Sequence, residues 1–153
     1  MQRKRLYIAY GSNLDTWQMR QRCPGARPVA KSWLHDYRLV FQGVPLNAHA
    51  NVIPEKGQKV PVVVWEISAA NEKALDRYEG VKGGYYTKEY FTIEVNGEMV
   101  EALIYIMCPR DFNLPCDLYL ETIAYGYHDF NFDIRYLKEA AKHAHRHADY
   151  VPA

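Results

Sequence analysis

The alternation of apolar and polar positions divides the chain into strand-like and helix-like stretches. Residues 6–10 form a compact apolar run ending at Gly11-Ser12-Asn13, which predicts a buried first strand. Ser12-Asn13-Leu14-Asp15 fits a capping box, with Ser12 at the cap, so a short helix is expected through about Gln21, stopping before Pro24-Gly25. Residues 29–42 carry Trp33, Leu34, Tyr37, Leu39, Val40 and Phe41 and predict one or two strands. A short strand is expected over 47–53 and a polar turn over 55–59. Residues 60–67, with Val62, Val63, Val64 and Trp65, read as a central strand buried on both faces. Residues 68–79 place Ala70, Ala74, Leu75 and Tyr78 at helical spacings, and Gly80 supplies the stop. Residues 85–95 and 99–107 pair as a hairpin across Asn96-Gly97. A loop over 108–115 leads to two helices, about 117–128 and 133–149.

Strands interrupted by single helices, with helices gathered at the end, give an α+β class. The expected architecture is a mostly antiparallel, barrel-like mixed sheet with flanking helices. Regular βαβ alternation is lacking, which argues against a Rossmann-type fold. The 153 residues, without repeat or linker, are expected to form a single domain over 1–153.

Composition narrows the function classes. A hydrophobic share of 48% and a charged share of 24% fit a globular chain. A net charge of +1 offers no electrostatic reason to expect nucleic acid or an anionic membrane as partner. No stretch reaches the apolar length of a bilayer span, and the apolar run after Arg3-Lys4-Arg5 stops too soon for a secretory core. Cys23, Cys108 and Cys116 are odd in number and lack a C-x-x-C spacing, which favours a reducing compartment, hence a cytoplasmic location. The 13 tyrosines fit a pocket with an apolar body and hydroxyl tips.

Two segments bear chemistry. At Tyr10-Gly11-Ser12-Asn13-Leu14, a strand turns into a helix start whose unpaired N–H groups attract an anion, and Gly11 permits close backbone approach. An ordinary serine-capped turn would read the same way. At Leu75-Asp76-Arg77-Tyr78-Glu79-Gly80-Val81, Glu79 stands just before a helix-ending glycine. Three effects are expected to raise its pKa toward neutrality: the negative helix end, repulsion from Asp76 and burial in an apolar pocket. An exposed surface glutamate is the plain alternative. His143, His145 and His147 alternate on the last helix; His143 and His147 share a face that a metal could bridge, but no further ligand stands nearby, and a solvated helix end is the simpler account. A cysteine paired with a histidine would make a thiol amidase, though no local signature marks one.

Taken in order, these segments resemble the γ-glutamylcyclotransferase family, AIG2-like members included. The resemblance rests on Tyr-Gly-Ser-Asn-Leu after the first strand, a Val-rich strand into Trp-Glu-Ile, Leu-Asp-x-x-Glu-Gly-Val, and Gly-Tyr-Tyr entering a strand. It runs from Leu6 to about Tyr105, with a weaker tail at Tyr119 and Gly126. It implies that a γ-glutamyl compound's own α-amine attacks its γ-carbonyl, giving 5-oxoproline and a free amine. It implies further that Glu79 is the general acid/base, and that Tyr10, Gly11, Ser12, Asn13 and Leu14 grip the substrate. Tyr7, Tyr86, Tyr105 and Tyr119 match pocket tyrosines of the family, Tyr119 foremost. The expected partner is a small γ-glutamyl molecule, with no cofactor and no metal, and with a homodimer left open. The alternative is a non-catalytic binding domain on the same scaffold.

Overall fold

The computed structural model describes residues 5–148. Arg3, Lys4 and Asp149, which enter the expectations above, lie outside the described residues. Strand β1 (Arg5–Ala9) runs into a 3-10 turn (Ser12–Leu14) and helix α1 (Thr16–Arg22). Two long strands follow, β2 (Arg27–Gln42) and β3 (His49–Ile67), then helix α2 (Ala69–Tyr78). The hairpin β4 (Tyr86–Val95) and β5 (Glu98–Met107) precedes helices α3 (Asp117–Asp129) and α4 (Arg135–His147). The five strands form one sheet in the order β2-β3-β1-β5-β4. All neighbours are antiparallel except β1 and β5, which are parallel.

The α+β class holds, but the sheet does not close. Its edge strands β2 and β4 approach only through contacts such as Ser32 Oγ donating to the Glu94 carbonyl (2.7 Å) and the Tyr37–Phe91 ring pair. The barrel-like expectation therefore becomes an open, curled sheet.

Local chemistry explains the elements and three departures. First, Asp15, not Ser12, caps α1: its side chain accepts from Trp17 N, while the residues 12–14 form a separate 3-10 turn. An aspartate one position before the helix satisfies the orphan N–H better placed for it. Second, the polar turn expected at 55–59 is instead part of β3. Pairing passes from Tyr37–Pro54 to His35–Lys59, so residues 55–58 stand opposite Asp36 alone. Asp36 takes φ 63° and accepts from Gly57 N–H at 3.0 Å, which turns the polar stretch into a bulge. Third, Asn71 rather than Ala70 faces the core on α2. Asn71 closes a capping box with Ser68 and donates to the Pro24 carbonyl at 3.2 Å, so its polarity is satisfied while buried.

The hairpin turn is as expected, Asn96 and Gly97 both having positive φ. The core gathers Ile8, Val62, Val63 and Val64 of the central strands with Ile104, Leu75 and Ile123, all fully buried. Helix α3 packs onto the backbone of the 3-10 turn at Gly126. A Cβ there would meet the Leu14 side chain, the Leu14 carbonyl carbon at 2.6 Å and Asp15 N at 2.9 Å. Only glycine permits this approach, and it fixes the height of the turn above the sheet.

Candidate active site

The C-terminal end of α2 delivers Glu79. Val81 N–H donates to the Asp76 carbonyl and Gly80 N–H to the Arg77 carbonyl, both at 3.1 Å, with Gly80 at φ 61°. These bonds form a Schellman motif, so Glu79 is held as the cap residue of the helix. Tyr85 packs over Gly80 so closely that a Cβ would lie 3.2 Å from it. The turn carrying Glu79 is thus fixed from both sides.

The carboxylate opens onto a cavity of about 390 Å³, within the usual range for a small-molecule site. Across from it lie Tyr10, Gly11, Ser12 and Asn13, so the two segments singled out in the sequence meet in one pocket. The Ser12 and Asn13 N–H groups have no acceptor among the described residues, whereas Leu14 and Asp15 N–H close the turn. Asn13 is locked by its side chain. It donates to the Tyr7 hydroxyl at 2.9 Å and accepts from Gln18 and Arg22, each at 3.1 Å. Gly11 is required by crowding: a Cβ would stand 3.0 Å from the Ala50 Cβ and 3.6 Å from the Tyr119 hydroxyl. Leu14 does not line the cavity. It is fully buried beneath the turn, so its part is to hold the turn on α3.

Burial lifts the Glu79 carboxyl to about 7, against the opposing pull of Arg22. Glu79 lines the cavity, and no hydrogen-bond donor among the described residues satisfies its carboxylate oxygens. The expected repulsion from Asp76 is absent. Asp76 turns to the sheet instead, accepting from Tyr105 Oη at 2.6 Å and pairing with Lys88 at 3.1 Å. That also removes Tyr105 from the cavity lining.

Tyr7, Tyr10, Tyr86 and Tyr119 all line the cavity. Burial first, and the nearby Glu79 charge among the further causes, holds each hydroxyl proton more tightly than usual. Their hydrogen bonds differ. Tyr10 donates to the Tyr105 carbonyl (2.6 Å) and Tyr86 to the Ala50 carbonyl (2.8 Å), which commits both protons to the fold. Tyr7 accepts from Asn13 and Tyr119 accepts from Ala50 N–H at 2.9 Å. Asn51 stays off the cavity, bridging Gln42 Oε1 (2.7 Å) and Met107 N–H (2.9 Å).

Two arginines join the site without a motif in the sequence to mark them. Arg22 closes α1 and stacks on the Tyr78 ring at 4.4 Å; Arg110 follows β5 and stacks on Tyr85 at 4.3 Å. Both line the cavity. The stacking tyrosines flank Glu79 in the chain, which is the only local hint of either arginine.

The other candidates lie elsewhere. None of the three cysteines lines the cavity, and burial pushes the Cys23 thiol up to about 11, away from the thiolate a nucleophile needs. His143 and His147 do stack, at 4.4 Å, but His143 is buried against Phe112 rather than solvated. Burial and neighbouring cations lower its pKa to about 4. Among the described residues no three His, Cys, Asp or Glu side chains gather as a metal site, and no helix is long and apolar enough to cross a membrane.

Residues 7–128 match the family model described as gamma-glutamyl cyclotransferase, AIG2-like. The chain is 30% identical over 142 residues to the gamma-glutamylcyclotransferase of Bos taurus, covering 88% of this chain and 76% of that protein. The Homo sapiens gamma-glutamylcyclotransferase is 30% identical over 139 residues, covering 86% and 74%. A solved structure of a gamma-glutamyl cyclotransferase superposes with a TM-score of 0.82 at 26% identity, over 99% of this chain and 93% of the other.

Proposed function

We propose, from the premise that this chain belongs to the gamma-glutamyl cyclotransferase, AIG2-like family, that Glu79 is the proton-transferring group of its reaction. The chain is an enzyme, a cyclotransferase that releases 5-oxoproline from a small γ-glutamyl molecule. The observation that carries the role of Glu79 is its placement: a carboxyl at about 7 that, among the described residues, has no hydrogen-bond donor and shares one cavity with two backbone amides without acceptors.

The chemistry follows from what the residues offer. The substrate's α-ammonium must lose a proton before its nitrogen can attack the γ-carbonyl carbon. Glu79, whose pKa burial raises toward neutrality, is able to accept it. A carbon–nitrogen bond forms to close the five-membered ring, and the bond to the departing nitrogen breaks. Glu79 returns that proton to the departing nitrogen, then takes the second proton from the new ring nitrogen and passes it to the released amine, so the carboxyl ends as it began. The attack is intramolecular, and the site's main task is to hold the chain folded back on itself. In this reading the Ser12 and Asn13 amides and Arg22 take the α-carboxylate, and Tyr7 and Tyr119 bound the glutamyl chain; their shared cavity supports it. Three cysteines without disulfide partners support a reducing, cytoplasmic setting.

Glu79→Gln keeps the shape and removes the exchangeable proton. Release of 5-oxoproline should fall by ~10²–10⁴-fold, the usual loss for a general acid/base, with an unchanged circular-dichroism spectrum. A variant that turns over at the native rate would refute this role.

A further inference from the structure

We propose that Gln18 is a positioning residue for the cyclisation: acting through Ser12, it aims the Tyr119 hydroxyl into the cavity, where Tyr119 donates to the oxygen that gains negative charge as the γ-carbonyl is attacked. This deepens the reading of Glu79 given above and rests on it. Gln18 belongs to α1, lines the cavity and is half-buried. Its Nε2 donates to Ser12 Oγ at 2.9 Å and to Asn13 Oδ1 at 3.1 Å, so both of its hydrogens are committed to the turn.

The next links follow from counting donors and acceptors. A hydroxyl has one proton to give and two lone pairs to accept with. Gln18 takes one lone pair of Ser12, which turns the Ser12 proton away from Gln18. The Ser12 hydroxyl bonds to Tyr119 in the sense that favours charge on the phenol oxygen, so Ser12 is the donor of that bond. Tyr119 also accepts from Ala50 N–H at 2.9 Å. Both of its lone pairs are then occupied, and its own proton has no acceptor among the described residues. The ring is fixed edge-on against His49 (4.8 Å) and Phe41 (6.4 Å). Its oxygen lies close to the turn, 3.6 Å from where a Cβ on Gly11 would stand. No other tyrosine of the cavity is set in this way. Tyr10 and Tyr86 give their protons to backbone carbonyls, and Tyr7 accepts one bond only, from Asn13, which leaves its hydroxyl free to rotate.

The reaction needs such a donor. When the α-nitrogen attacks, an electron pair of the γ-carbonyl moves onto its oxygen, and it returns when the bond to the departing nitrogen breaks. Tyr119 donates a hydrogen bond throughout and keeps its proton, which burial foremost, and the nearby Glu79 charge further, hold in place. A donor aimed before the charge appears needs no reorganisation at that moment.

The test is a double-mutant cycle on kcat for γ-glutamylalanine, measured by 5-oxoproline release from the wild type, Gln18→Met, Tyr119→Phe and the double variant. Tyr119→Phe should lower kcat by ~10²–10³-fold, the usual loss for one oxyanion donor. Gln18→Met keeps the length of the side chain and removes the donor to Ser12; it should lower kcat by ~2–10-fold, the net worth of one hydrogen bond. In the Tyr119→Phe background Gln18→Met should cost nothing further, because the group it aims is gone. A merely structural role through Asn13 would lower kcat equally in both backgrounds. With 3-fluorotyrosine at position 119, which keeps the ring and its acceptor sites but makes the hydroxyl a stronger donor, kcat should rise; this arm decides the question if Tyr119→Phe does not fold. Additive losses, a native kcat in Tyr119→Phe, or a kcat that does not rise with fluorination would overturn the assignment while cyclisation stands. A wild type that releases no 5-oxoproline would overturn the underlying reading of the site, and this proposal with it.

Discussion

Glu79→Gln should stabilise the fold at alkaline pH even as it removes activity. A carboxyl whose folded pKa lies above its unfolded value holds its proton more tightly in the native state. Native stability then declines as pH rises from about 4.5 toward 7 and levels off above that. The lift from 4.5 to about 7 corresponds to roughly 3 kcal/mol between the two protonation states. Water in the cavity screens part of this, so the gain from a neutral glutamine at pH 8.5 should be about 1–3 kcal/mol. For a domain of this size that is a rise in Tm of roughly 2–12 °C. At pH 4.5 and below the native carboxyl is already neutral, and the two proteins should unfold alike. Urea unfolding at both pH values measures the difference. Equal stability at pH 8.5, or a less stable variant there, would refute the claim that Glu79 is held in a desolvated place.

Other predictions test the parts that position the site. Gly126→Ala would drive a methyl into Leu14 and Asp15 N; the overpacking should cost ~1–3 kcal/mol, lower Tm by about 2–12 °C, and raise KM because the turn must move, while an unchanged Tm would show that the turn does not rest on α3. Alkylation of the accessible thiols Cys108 and Cys116 should leave 5-oxoproline release intact; loss of turnover in step with labelling would favour thiol chemistry instead.

Much of this architecture is legible in the sequence, and the reasons differ by element. The Asn96-Gly97 hairpin and the Gly80 stop could be read because each needs a backbone conformation that few residues adopt. The valines of β3 announced a strand through their unbroken apolar run. Residues 55–58 misled because a polar, glycine-containing stretch is a turn by local chemistry. Here long-range pairing with β2 overrode that chemistry, and Asp36 absorbed the irregularity. Asn71 is not legible as a core residue, because a buried amide looks polar until its partners Ser68 and Pro24 are known. The site shows the same division. Glu79 and the 11–14 turn are local motifs, whereas Arg22 and Arg110 reach the cavity from distant elements. No spacing along the chain encodes that convergence. Asp76 shows the converse: helical spacing puts it near Glu79, but Lys88 and Tyr105 draw it to the sheet.

The central claim is that one carboxyl, poised near neutrality, transfers the proton. The pH dependence of kcat/KM tests it most directly, since this quantity reports ionisations of the free enzyme. With a γ-glutamyl amino acid as substrate, the acid limb should bend with a single ionisation near 7. Arg22 pulls the Glu79 pKa down, so in Arg22→Met the bend should move to higher pH. An acid limb that bends near 4.5, or one that stays in place when Arg22 is removed, would contradict the account.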